Sequence, residues 1–297
     1  MPRASPHWKK RRSRHGGECG RSPRGRDHGA ASDQRRRHLY SIDLTGRSAL
    51  VFGVANERSI AWAIARVLDE AGCRLALAYQ NQRLKGRVEK LAVDLRDPVL
   101  VECDVTDDDG IADVFARVEE RFDGLDVLVH SIAYALRDDL GGDFSKTGRE
   151  GFRIALDVSA YSLLPLVRSA APLMERRGGG SVVTMTFQAS ERVFPGYNIM
   201  GTAKAALENE VRQLAAEYGG RNIRVNAISA GPLETLAARG IHGFLDMKKI
   251  HAERAPMERN ITHEEVAKTA LFLCSDLSSG VTGSVIPVDA GYHIMAV

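Results

Sequence analysis

SALVFGVANERSIAWAIARVLDEAGCRLALAY, residues 48–79, decides the fold. It opens with an apolar run (48–54) that ends around Gly53. A stretch with apolar residues at helical spacing follows (59–72) and stops at Gly72, and a second apolar run occupies 74–79. Neither run alternates polar with apolar residues, as a strand with one wet face would. Both read as strands buried on two faces, which is the signature of a parallel sheet covered by helices. The alternation continues outward. A polar helix candidate lies at 81–95, PVLVECDV at 98–105, a helix candidate at 107–122 and LDVLVHSIA at 125–133. Further runs are SVVTMTF (181–187), IRVNAISA (223–230) and SVIPVDA (284–290), with helical segments between them. The expected fold class is α/β: a single Rossmann-like doubly wound parallel sheet with helices on both faces and its ligands beyond the carboxyl ends of the strands.

Charge divides the chain differently. Of 297 residues with a net charge of +3, the first 43 carry 12 Lys and Arg against four acids, a local +8. The other 254 carry 29 bases against 34 acids, a local −5, so the basic character belongs to a tail and the body is mildly acidic. That excludes a basic nucleic-acid binder as the reading of the whole chain. Two segments follow, a basic tail expected to be disordered (1–43) and a folded domain (44–297), because the tail has too few aliphatic residues to offset its ordering entropy. The tail reads as a solvated extension, as a contact for nucleic acid or an anionic membrane, or as a transit peptide; the first is preferred and no nucleic-acid contact is expected. Cys19, Cys73, Cys103 and Cys274 form no CxxC pair and follow no signal-peptide apolar region, which points to a reduced, cytoplasmic setting. No run of about 18 apolar residues is present, so no membrane span is expected.

Candidate chemistry gathers at strand ends. The first turn, GVANERSIAWA, lacks GxGxxG, yet Gly53 allows close backbone approach and Ser59 is placed to cap a helix whose N-terminus favours phosphate. An ordinary capped turn is an equal reading. The second strand ends at Gln80, where a residue for ribose hydroxyls is expected; Arg83, Lys85 and Arg87 beyond it read as a solvated helix face, or as a contact for a 2′-phosphate. In SVVTMTFQASERVFPGYNIMGTAKAALENEV (181–211), a helix from about Tyr197 would bring Tyr197 and Lys204, seven apart, to one face about 10 Å apart along the axis. The ammonium would favour the phenolate and sharpen the hydroxyl as a donor to a developing oxyanion; an amphipathic helix that happens to carry one Tyr and one Lys remains the plain alternative. His130, His242 and His251 have no neighbours of a metal site or a triad. His130 reads as structural and the other two stay open.

The stretch YNIMGTAKAALE, with Tyr197, Met200 and Lys204, resembles the Tyr-x6-Lys signature of bacterial enoyl-(acyl-carrier-protein) reductases, of the short-chain dehydrogenase/reductase superfamily. GVANERSIA (53–61), YQNQRLKGRVE (79–89), CDVTDD (103–108), HSIA (130–133), REGF (149–152), DVSAYS (157–162), RVNAISAGP (224–232), TLAARGI (235–241) and FLCSDLSSGVTG (272–283) extend it over 44–297. Related ketoreductases use Tyr-x3-Lys, and the residue four after Tyr197 is Gly201.

The resemblance implies reduction of the trans-2 double bond of enoyl thioesters with NADH, rather than NADPH, in fatty acid elongation. It places Gly53, Ser59, Ile60, Gln80, Asp104, Val105, Ser131, Ile132, Lys204, Leu233, Thr235 and Ala237 at the cofactor. It assigns Tyr197 to the thioester oxygen and Phe187, Ala135 and Met200 to the substrate pocket. An acyl carrier protein as the substrate's carrier (or coenzyme A) and a homotetramer are also implied. Three departures stand out. Phe187 replaces a second tyrosine, and Glu234 stands where a base is common; Glu234 is expected to point to solvent. In the expected substrate-loop segment 240–256, the bases are Lys248, Lys249 and Arg254, while Leu245 and Asp246 occupy positions that are often basic. A 3-oxoacyl thioester reductase and a non-catalytic NAD-binding scaffold are the competing readings.

Overall fold

The computed structural model describes residues 41–241 and 243–296; the tail up to residue 40 and His242 lie outside the described residues. Seven parallel strands form the sheet: β1 (Ser48–Phe52), β2 (Arg74–Tyr79), β3 (Val99–Glu102), β4 (Val127–His130), β5 (Gly180–Thr186), β6 (Ile223–Ala230) and β7 (Val285–Val288). Their spatial order is β3-β2-β1-β4-β5-β6-β7. Each of the seven apolar runs read from the sequence supplies one strand. The helices are α1 (Ile60–Glu70), α2 (Gln82–Ala92), α3 (Asp108–Phe122), α4 (Arg149–Leu156), α5 (Leu163–Arg176), α6 (Ile199–Tyr218), α7 (Phe244–Arg254) and α8 (His263–Cys274).

Strand pleating divides the core in two. Leu50 and Phe52 of β1 face a cluster built with Val114 and Val118 of α3, Leu166 and Val167 of α5, and Leu207 and Val211 of α6. Ala49 and Val51 face the opposite cluster, with Ile64 and Leu68 of α1, Val88 of α2, and Val266 and Ala270 of α8. Helices thus cover both faces, as continuous apolar strands require. The edge strand β7 carries Pro287, whose missing N–H is tolerated there.

Between α4 and α5 the chain makes a π-helical turn, Asp157–Tyr161, which joins them into one helical stretch, Arg149–Arg176. By length and composition alone this stretch could cross a membrane, but 56 % of its most apolar window is buried within the fold. Leu163, Leu166 and Val167 belong to the core. Cys73, Cys103 and Cys274 are buried free thiols, and burial pushes all three above the ordinary thiol pKa.

Candidate active site

Order in the sheet reverses between β1 and β4, and a cleft of about 1000 Å³ opens beyond the strand ends there. Such a switch point is where doubly wound sheets bind ligands. All the residues assigned above to cofactor and substrate line it: Gly53, Ser59, Ile60, Gln80, Asp104, Val105, Ser131, Ile132, Ala135, Phe187, Tyr197, Met200, Lys204, Leu233, Thr235 and Ala237.

The β1–α1 turn is built for close approach. Gly53 has φ +98°, and a Cβ there would overlap the carbonyl oxygen of Ser131 on the loop after β4. Ser59 does not cap α1 as expected. Its Oγ turns back and accepts from the backbone N–H groups of Ala55 and Asn56, each at 3.1 Å, so it shapes the turn instead. The first turn of α1 therefore has no side-chain cap, and its N-terminus points a partial positive charge at the cleft. Gln80 and Arg83 both line the cleft, and Arg83 is exposed there, so it is solvated and also within the cleft lining. Lys85 pairs with Glu89 on the helix surface, as that reading held.

Tyr197 is not on the helix. Asn198, with φ 35° and ψ −117°, breaks the backbone between them, and α6 starts at Ile199. The two-turn spacing therefore fails as the reason Tyr197 and Lys204 meet; the turn and the helix bring both to one cleft. Asn198 Nδ2 ties the turn to the loop after β4 by donating to the Gly141 carbonyl at 2.7 Å. Burial pushes the Tyr197 phenol above its ordinary pKa, so it is a neutral donor. The expected shift toward phenolate is absent: burial is what moves the phenol, and Lys204 Nζ donates to the Met185 carbonyl at 2.8 Å. Lys204 is buried, and desolvation pulls its pKa down to about 8 while the carboxylate of Glu208 opposes that fall.

Behind these residues, Thr184 and Ser162 hold His130 at 2.8 and 2.9 Å. Ser162 Oγ donates to the Val158 carbonyl at 2.7 Å, so it accepts from Nε2–H, and Nδ1 accepts from Thr184. His130 is structural, as expected. The π-helical turn within DVSAYS escaped sequence reading. It places Asp157 and Val158 on the cleft wall, and Ser159 Oγ bonds both the N–H and the carbonyl of Tyr134 at 2.9 Å. His251 is the buried anchor of α7, stacked on Tyr292 with ring centroids 4.5 Å apart. Glu234 is exposed and ion-paired with Lys248 of α7, in keeping with the solvent-facing expectation. Lys249 is within 3.8 Å of Glu253.

The cleft fits a dinucleotide: it opens at the switch point, an uncapped helix N-terminus faces it, and a buried ammonium stands on its wall. Fold and site together define a nucleotide-dependent oxidoreductase of the short-chain dehydrogenase/reductase type. The family model described as enoyl-(acyl carrier protein) reductase matches residues 53–293. The chain is 48 % identical over 257 residues to the enoyl-(acyl-carrier-protein) reductase (NADH) of a Nostoc species, covering 86 % of this chain and 99 % of that protein. Identity to the Bacillus subtilis protein of the same name is 47 % over 258 residues, with the same shares covered. The crystal structure of the Aquifex aeolicus enoyl-(acyl-carrier-protein) reductase (NADH) superposes with a TM-score of 0.83 at 46 % identity, covering 86 % and 99 % of the two chains. The chain belongs to the enoyl-(acyl carrier protein) reductase family.

Proposed function

We propose that the chain reduces the trans-2 double bond of enoyl thioesters with NADH, the last step of each fatty acid elongation cycle. The observation that carries this reading is the convergence of Tyr197, as a neutral phenol, and Lys204, as a buried ammonium, on the switch-point cleft of a family member. Bound in that cleft, NADH would supply the hydride for the β-carbon of the enoyl group. Gly53 and the N-terminus of α1 would hold the pyrophosphate, and Gln80, Asp104 and Val105 the adenosine end. Ser131, Ile132 and Leu233 to Ala237 would hold the nicotinamide half, and Lys204 its ribose. Tyr197 would donate its hydroxyl in a hydrogen bond to the thioester oxygen, where negative charge develops as an enolate. A proton drawn ultimately from solvent would add at the α-carbon to give the saturated acyl thioester. Phe187, Ala135 and Met200 enclose the acyl chain, with Phe244 and Met247 of α7 on the same cleft.

We assign the carrier as an acyl carrier protein, or coenzyme A in its place, the assembly as a homotetramer, and the compartment as the cytoplasm. Lys248 and Lys249 both face acids, so the carrier's acidic surface has few unengaged bases to meet on α7. The tail 1–43 is assigned no part in catalysis. The deciding measurement is NADH consumption with crotonyl-CoA and with acetoacetyl-CoA, for the wild type and Tyr197→Phe. Turnover of crotonyl-CoA alone, reduced about 100-fold or more without the hydroxyl, is expected. Turnover of only the oxo substrate would sink this assignment in favour of a ketoreductase, and NADH binding with turnover of neither would leave a scaffold.

A further inference from the structure

Two residues one turn apart on α6 grip consecutive residues at the end of β5. Lys204 donates to the Met185 carbonyl at 2.8 Å, and Thr186 Oγ1 donates to Glu208 Oε1 at 2.6 Å. Residues four apart on a helix are neighbours on one face, so the ammonium and the carboxylate lie along the same ridge. Both are 4 % exposed, but only Lys204, with Met185 and Thr186, lines the cleft; Glu208 stands behind them.

We infer that Glu208 is a positioning residue for Lys204: its carboxylate, one turn along α6 and pinned by the Thr186 hydroxyl, keeps the buried ammonium in the charged form that donates to the Met185 carbonyl on the cleft wall. The inference rests on the reading that Lys204 holds the nicotinamide ribose. An ammonium removed from water with a single carbonyl partner is poorly compensated, and a carboxylate one turn away offsets part of that cost. The other groups near Lys204 do not supply this charge. His130 on β4 is neutral, since burial holds it well below the ordinary histidine range. Tyr197, on the turn before α6, is a neutral phenol. Asp157, on the π-helical turn, is engaged by Arg153 at 3.3 Å. Burial draws the Lys204 pKa down to about 8 against the pull of Glu208, so without that carboxylate the ammonium would lose its proton at lower pH.

The test is the NADH dissociation constant, followed by fluorescence from about pH 6.5 to 9.5, for wild type, Glu208→Gln and Lys204→Arg. Wild-type affinity is expected to fall on the alkaline side with a midpoint near 8. Glu208→Gln, which keeps an acceptor for Thr186, should move that midpoint down by about one pH unit and leave affinity at the acid end close to wild type. Lys204→Arg, whose guanidinium stays protonated, should abolish the alkaline fall. An equal loss of affinity at every pH, or an unmoved midpoint in Glu208→Gln, makes Glu208 a plain structural tie and overturns the inference. An alkaline fall that persists in Lys204→Arg overturns the underlying reading of Lys204 instead. Should Glu208→Gln fail to fold, Glu208→Asp draws the charge back by one methylene and must shift the midpoint in the same direction by less.

Discussion

The ring of Phe187 stands edge-on to the phenol of Tyr197, with centroids 5.0 Å apart and planes inclined by 60°. Phe194 also packs on Phe187, with centroids 4.7 Å apart, so Phe187 joins the end of β5 to the turn that carries the proposed hydrogen-bond donor. Edge-to-face aromatic pairs fix ring orientation as well as burying area. Where the family resemblance has a second tyrosine hydroxyl, this chain therefore supplies orientation without a polar group. Phe187→Tyr is expected to keep kcat for crotonyl-CoA within about three-fold, since the edge contact survives, whereas Phe187→Ala should lower it about 10- to 100-fold by releasing Tyr197. Steady-state kinetics of both variants decide this; a large loss in Phe187→Tyr would mean that the apolar edge itself is required.

Gly53 is the second point at which backbone geometry controls the site. With φ +98° and the Ser131 carbonyl where a Cβ would sit, Gly53→Ala must displace either the β1 end or the loop after β4. Destabilisation of about 2 kcal/mol or more is expected from the strain and the overlap. NADH affinity should fall further than stability alone would explain, because both displaced segments line the cofactor cleft. Denaturant titration and NADH binding on the same variant separate the two effects.

The sheet was legible because each strand is built on a short apolar run without strict polar alternation, the pattern of a parallel sheet buried on both faces. The site was legible as a set of residues but not as geometry. Tyr197 reads as helical because nothing in YNIM marks the positive φ of Asn198. Ser59 reads as a cap because Ser before an apolar helix usually is one; its partners, Ala55 and Asn56, are chosen by the path of the turn. Thr186 and Glu208 lie 22 residues apart and meet only when α6 packs on β5, so no local pattern reveals them. The π-helical turn at Asp157–Tyr161 likewise has no periodicity of its own to read.

His130 makes stability dependent on acid. Its folded pKa is pulled down to about 3 by burial, chiefly, and by the charge of Lys204, against an ordinary value of 6.5. A histidine depressed in the folded state contributes stability that is intact above its unfolded pKa and is lost as pH falls below it. Between pH 6.5 and 3 the unfolded chain binds a proton here that the folded chain refuses, at about 1.4 kcal/mol per pH unit. Denaturant midpoints should therefore fall as pH drops below 6.5. His130→Gln, which can still bond Thr184 and Ser162, should flatten that slope while lowering stability at neutral pH; an unchanged slope would remove His130 as its source.

Glu234 and Lys248 link the loop after β6, which lines the cofactor cleft, to α7, which lines the substrate end. The resemblance puts a base at 234; here the base stands across the gap at 248, so a positive charge stays near the loop while its position changes. The side chains are 49 % and 29 % exposed, so the pair is worth at most about 1 kcal/mol and its loss should leave the melting temperature nearly unchanged. Its effect belongs in substrate affinity. Glu234→Lys sets two ammonium groups face to face, and a repulsion of about 1 kcal/mol would raise KM for the enoyl thioester roughly five-fold. The exchange Glu234→Lys with Lys248→Glu restores opposite charges and should recover most of that loss, and the whole effect should shrink at high salt. A double variant as impaired as the single one would show that the charge at 234 acts on the cofactor directly and not by clamping α7.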